Sequence, residues 1–206
     1  MICRAACSRQ EFLELANASR NCRTTIALAC CDQQQLLEPG TPARHTWIRA
    51  FADEALAEEG ATALDECPPV ESGVWETLLV PVCNPTEEET LGIPIKPGKP
   101  VYDPEPYLML IEGAVSDEEA IGRYRNIIMP LIKRLGGRYL AYASGDGVVV
   151  RHGTWNEPFI ALSCWPGEHA ANQFWMGSEY QSKAIPARTG AGVFGVSLMR
   201  GRILEA

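Results

Sequence analysis

The 206-residue chain is 46% hydrophobic and 21% charged, an ordinary balance for a globular protein with enough length to bury a core. Its net charge of −8 is uneven: residues 1–100 hold 8 Lys/Arg against 15 Asp/Glu, or −7, and residues 101–206 hold 10 against 11, or −1. An acidic chain without a basic stripe argues against nucleic-acid or anionic-membrane partners, and no apolar run is long enough to span a bilayer.

Taken in order, Ser8 to Glu11 has the spacing of a capping box, and Phe12, Leu15 and Ala16 predict a helix over about 9–18. Arg23 to Cys31 reads as a strand, and Asp32 to Gly40 as a polar loop. Thr41-Pro42 then opens a helix whose apolar face is Ile48, Phe51, Ala55 and Leu56, with Gly60 as its stop. Ala61 to Cys67 and Trp75 to Cys83 read as two strands. From Pro85 to Pro106 regular structure is forbidden by Pro94, Pro97, Pro100, Pro104 and Pro106, which predicts a semi-rigid linker.

The second half is more regular. Tyr107 to Val115 is an apolar strand broken by Glu112, and Ser116 to Glu119 is a capping box. Ile121, Tyr124, Ile128, Leu131, Ile132 and Leu135 form one helical stripe, with a kink expected at Pro130 and a stop at Gly136-Gly137. Strands follow at 138–143, 159–165 and 193–199, with helical pieces from Glu168 and from Ser178 between the last two. This order, β-α-β-β-α-β, is that of a ferredoxin-like sheet.

The chain also echoes itself. Val70, Gly73 and Trp75 match Val150, Gly153 and Trp155 at an offset of 80, and Cys83 and Pro85 match Cys164 and Pro166 at 81. An internal repeat of this kind predicts that residues 23–85 are a degenerate copy of the unit at 107–201. The expected organisation is therefore an N-terminal helical extension over 1–22, the degenerate half over 23–85, a Pro-rich linker over 86–106, the complete unit over 107–201 and a tail over 202–206.

The eight cysteines form no Cys-x-x-Cys pair and the three histidines are scattered, so neither a metal site nor any cofactor is expected. Cys30, Cys83 and Cys164 lie in apolar strand-like runs, which suits reduced, buried thiols in the cytoplasm or an organelle interior rather than a secreted protein. The first ten residues carry Arg4 and Arg9 and no acid, which is compatible with an organelle-targeting remnant.

Gly136-Gly-Arg-Tyr139, Gly153-Thr-Trp155, the strand from Phe159 to Pro166, Trp175, Ser178-x-Tyr180 and Arg188 together resemble the bacterial family called domain of unknown function thirteen-thirty, of the dimeric α/β-barrel superfamily. The resemblance covers nearly all of 107–201. It implies an α+β fold in which tandem ferredoxin-like units with antiparallel sheets pair edge to edge as an intramolecular pseudo-dimeric α/β barrel. It also implies a pocket between sheet and helices of the kind relatives use for small, often aromatic molecules. The family usually has a basic residue shortly after the Trp, where this chain has Asn156-Glu157-Pro158-Phe159.

Candidate chemistry centres on the second unit. Glu112 interrupts an apolar strand on the face of Leu108 and Leu110, where burial would raise its pKa and suit it to proton transfer; the bland alternative is a solvent-facing carboxylate. His169, in the first turn of a helix, would be held neutral there and able to act as a base; the alternative, for it and for His152, is an exposed polar residue. Arg138 and Tyr139 point to opposite faces of their strand. Tyr139, Trp155, Trp175 and Tyr180 form either an aromatic wall for a substrate or ordinary core. Arg188 either neutralises an anionic ligand or bonds the last carbonyls of its helix. Two functions follow. The first is a small-molecule-binding barrel, in its narrower form a cofactor-independent acid–base enzyme acting on a small aromatic or anionic substrate, working as a monomeric pseudo-dimer or a homodimer. The second is a non-catalytic subunit of a larger assembly.

Overall fold

The computed structural model describes residues 1–6, 10, 25–38, 45–51, 53–65, 74–81, 107–153 and 157–203. Nine strands lie in these residues: β1 (Ile2–Ala6), β2 (Thr25–Leu36), β3 (His45–Phe51), β4 (Val74–Leu79), β5 (Tyr107–Val115), β6 (Arg138–Ser144), β7 (Val149–His152), β8 (Phe159–Trp165) and β9 (Gly192–Ile203). The helices are α1 (Glu54–Asp65), α2 (Glu118–Arg134), α3 (Glu168–Met176) and α4 (Ile185–Arg188). The strands form one antiparallel sheet in the order β6-β8-β5-β9-β2-β3-β1-β4-β7.

That order is two ferredoxin-like sheets joined at an edge. In the second unit β5 and β8 are central, and the alternation of β5 divides the molecule into two cores. Met109 and Ile111 pack with Ile128, Leu131 and Ile132 of α2 and with Phe174 and Trp175 of α3. Leu108 and Leu110 face the other way, into a cluster holding Ile160, Leu162 and Met199 together with Ile2, Cys31 and Leu78 of the first unit. The second cluster is the barrel interior, shared by both halves of the chain. Its two edges run from β9 to β2 and from β4 to β7. The strands at the ends of the sheet order, β6 and β7, are linked through one turn at Gly145–Gly147, so the chain itself draws the ring together. The fold is α+β and ferredoxin-like, with the pairing of units made inside one chain.

The α2 stripe is buried as its spacing demands, and Asp117 rather than Ser116 caps it, accepting from the Ala120 amide at 2.9 Å. Gly136 ends the segment with φ of +73°, a conformation a side chain would strain. The helix runs through Pro130, whose side chain is on the exposed face.

The first half departs from its sequence reading in several places. Ile2–Ala6, within the expected 1–22 extension, is a strand between β3 and β4, and so is central to its own sheet. The helix expected from Thr41 begins only at Glu54, after Asp53, whose carboxylate accepts from the Leu56 amide at 2.9 Å. Residues 45–51 are instead β3, because pairing with β1 and β2 on both sides outweighs a helical spacing of only a few apolar residues. Ala61 to Asp65, expected as strand, continues α1 through Gly60. Glycine there is a packing choice: a Cβ would lie 2.5 Å from the Phe51 ring. β2 extends through the expected loop to Leu36, since β9 offers its edge to Gln33–Leu36. The strand expected from Trp75 is present as β4 and, with β1 and β3 added, completes the order β2-β3-β1-β4, which matches β6-β8-β5-β9. By that topology β4 corresponds to β9, not to β8, so the Val70–Pro85 echo of Val150–Pro166 does not mark equivalent strands. β4 instead pairs directly with β7, Leu78 opposite Val150. The helix expected at 9–18 and the linker at 86–106 fall outside the described residues, apart from Gln10.

Candidate functional site

On the helix side of the second sheet, a cleft of about 410 Å³ opens beside the start of β9. Its apolar lining is Leu37, Trp175, Ile185 and Phe194, and its polar lining is Glu38, Gln181, Arg188 and Thr189. The volume falls within the usual range for small-molecule sites. Three local devices shape it. The helical segment after Gly177 widens into a π turn over Tyr180–Ala184, which continues into α4, with Pro186 near its start. Gln181 Nε2 there donates to the Trp175 carbonyl at 2.6 Å, tying the turn to α3. Gly192 leaves no room for a side chain, since a Cβ would lie 2.1 Å from the Ala114 carbonyl oxygen. The third device comes from the first unit: the Leu37 amide donates to the Val196 carbonyl at 2.8 Å, carrying the chain past the end of β2 so that Glu38 reaches the cleft.

Arg188 is the centre of the arrangement. Its side chain is only 10% exposed, and its Nη2 donates to the Glu38 carboxylate, 150 residues away in sequence. Its guanidinium carbon lies 5.5 Å from the Trp175 ring centroid, 5.5 Å from Phe194 and 5.9 Å from Tyr124, within cation–π range of all three. Nη1 is shut off from solvent and has no hydrogen-bond partner. Behind it, the Tyr124 and Tyr180 hydroxyls share a hydrogen bond of 2.9 Å. Burial pushes both phenols above their ordinary ionisation range; the mutual hydrogen bond pulls against this at Tyr124 and adds to it at Tyr180.

Among the residues singled out from sequence, Trp175, Tyr180 and Arg188 come together here. Tyr139 lies on the same side of the sheet, its ring 6.1 Å from that of Tyr142, within electrostatic reach of Tyr180. Glu112 is buried but continues the Leu108–Leu110 face into the barrel interior, opposite Ile160 and Gly195, so the sheet separates it from Arg188. Arg138 is paired with Cys164, whose side chain is in the same interior cluster. His169 is exposed in the first turn of α3, outside the cleft, and Trp155 lies outside the described residues. Arg188 neither bonds the end of its own helix nor stands as an isolated cation; it reaches across to the other unit. Sequence reading missed Tyr124, Phe194 and Glu38. Tyr124 stands in the α2 stripe as one more apolar position, and Glu38 carries no local signal at all.

Among the described residues no helix is long and apolar enough to cross a membrane, and no cluster of three or more His, Cys, Asp or Glu is placed to hold a metal. No curated protein matches the chain. Among solved structures, an anthrone oxidase-like protein aligns with a TM-score of 0.51 at 9% identity, over 99% of this chain and 90% of that one. A candidate monooxygenase from Fusobacterium nucleatum aligns with a TM-score of 0.50 at 8% identity, over 99% and 92%. A protein of unknown function from Rhodopseudomonas palustris aligns with a TM-score of 0.41 at 19% identity, over 50% and 86%. At these identities the first two likenesses concern the fold alone, and they extend over both units. Residues 106–202 match the family model described as Domain of unknown function (DUF1330). The unit that supplies the helices and aromatic side chains around the cleft is thus the part of the chain that matches the DUF1330 model, set in a chain folded as a ferredoxin-like α/β barrel.

Proposed function

We propose that the protein binds a small organic molecule with a planar, apolar body and an oxygen-bearing end in the cleft between β9, α3, α4 and the end of β2. The observation that carries this reading is Arg188: nine-tenths buried, ringed by aromatic faces, and left with one nitrogen unpartnered. A buried donor without a partner costs about 1–3 kcal/mol, more when charged, and a ligand oxygen in the cleft that Arg188 lines would relieve that cost once the side chain turns Nη1 toward it. Phe194, partly exposed, offers an apolar face for the ligand body, with Trp175 buried behind it. Any acid–base step in this cleft falls to Glu38, because Glu112 and His169 lie elsewhere; behind Arg188 the buried Tyr124–Tyr180 pair stays protonated, one hydroxyl donating to the other. The names of two structural neighbours, a candidate monooxygenase and an anthrone oxidase-like protein, suggest oxidation of a small aromatic molecule as the reaction class to assay first.

The test is a titration of small aromatic ketones, phenols, amides and acids followed by tryptophan fluorescence, with Arg188→Met and Trp175→Leu alongside. Saturable binding to the wild type, weakened on the order of tenfold or more in each variant, is the expected result. Absence of binding to the wild type, or equal affinity in both folded variants, would sink the reading.

A further inference from the structure

Resting on that reading of the cleft, we infer that Glu38 is its specificity-determining residue: it cancels the charge of Arg188 and selects uncharged ligands over carboxylates. An arginine facing a small-molecule cleft is ordinarily a carboxylate receptor, because its planar fork can give two parallel hydrogen bonds to two oxygens. Here that use is blocked in two ways. Nη2 already donates to the Glu38 carboxylate, so the Nη1–Nη2 fork is not free to close on a second carboxylate. Glu38 also lines the cleft, with its side chain 24% exposed, so an incoming carboxylate would meet a like charge at the point where it sought its counter-ion. Like charges brought together out of bulk water repel strongly, and a buried carboxylate without a partner is costly. The other polar groups of the lining, Gln181 and Thr189, are uncharged. With its charged pair balanced, the lining carries no net charge among the described residues and suits a ligand that is itself neutral. An amide, ketone or phenol fits, offering one oxygen as acceptor and, where it has an N–H or O–H, a donor to Glu38.

The selecting residue belongs to the first unit while the aromatic wall and the arginine belong to the second. The first unit is therefore part of the site. Its β2 edge is what holds Glu38 in place, through the pairing of Leu36 with Ser197 and the hydrogen bond from Leu37 to Val196.

Benzamide and benzoate have the same shape and differ in charge, so they separate the terms. Ligand-observed NMR titrations of both are carried out on the wild type, Glu38→Gln and Glu38→Asp. The wild type is expected to prefer benzamide. In Glu38→Gln, which keeps an acceptor for Arg188 but frees its charge, the benzamide-to-benzoate preference should fall on the order of tenfold, and benzoate binding should weaken as salt is raised. Glu38→Asp, which restores the charge, should restore the wild-type preference. A preference that is unchanged in Glu38→Gln, or that shifts further toward benzamide, overturns the assignment while leaving the cleft as a binding site. If neither probe binds wild type or variants, the small-molecule reading of the cleft fails and this inference with it.

Discussion

Tyr124 and Tyr180 hold two phenol oxygens 2.9 Å apart beneath Arg188, and burial raises both above the usual value of 10.0. A folded-state value raised above the unfolded one means that the protonated phenol favours the fold. The contribution is present in full below pH 10 and is lost as pH rises through 10 toward the folded value. Each phenol should steepen the loss of stability above pH 10 by about 1.4 kcal/mol per pH unit. Urea denaturation from about pH 9 to about pH 11 should therefore show a shallower decline for Tyr180→Phe than for the wild type, and parallel declines would refute the burial argument. The same residues mark the limit of sequence reading at this scale. Trp175, Tyr180 and Arg188 stand out in the sequence because they are among the residues that carry the family resemblance. Glu38 does not, since its importance comes from a contact made across 150 residues by a strand edge.

Elements follow the same division. α2 and β5 were readable because each carries an unbroken pattern, one stripe at helical spacing and one alternating strand, and each packs within its own unit. β3 was read as helix because Ile48, Phe51, Ala55 and Leu56 satisfy helical spacing by straddling a strand end and a helix start. The decision between the two lies with β1 and β2, which no local window includes. β2 was cut short for the same reason: Gln33 to Gln35 carry no strand pattern, and their pairing is with β9. At the start of β9 the constraint is steric. Gly192→Ala places a methyl group 2.1 Å from the Ala114 carbonyl oxygen and 2.8 Å from the edge of the Phe194 ring. A cost of about 1–3 kcal/mol is expected from such overpacking, read as a lowered Tm, together with weaker ligand binding because Phe194 walls the cleft. An unchanged Tm would show that β5 and β9 can part there without loss.

At the level of the whole molecule, the two junctions between units differ. From Ala29 opposite Ile203 to Leu36 opposite Ser197, β2 and β9 pair along most of a long strand. β4 and β7 pair at three positions, Thr77 with His152, Leu78 with Val150 and Leu79 with Val149, with a half-exposed Arg151–Glu58 ion pair beside them. Exposed pairs of that kind add little. Amide hydrogen exchange should accordingly be slow at 33–36 and 197–200, near the rate in β5, and faster at 77–79 and 149–152. Equal protection at both junctions would contradict this ranking. The ferredoxin-like plan is visible in the β-α-β-β-α-β order of the second half, whereas its doubling is read from the Val70–Pro85 echo, whose strands are not equivalent in the fold. The unequal junctions are not visible in the sequence, because β7 is an extra strand in an apparent turn region and gains its place only by meeting β4.

The inequality of the two junctions has a consequence for symmetry. In a barrel made of two identical chains, both closures are copies of one another and must strengthen or weaken together under any substitution. Here the closures are written by different residues, so each is free to change alone. One has become a long clasp that also delivers Glu38 to Arg188, and the other a short latch made by an added strand. Parting at the latch would therefore expose Leu78 and Leu108 without requiring the clasp, or the cleft beside it, to change.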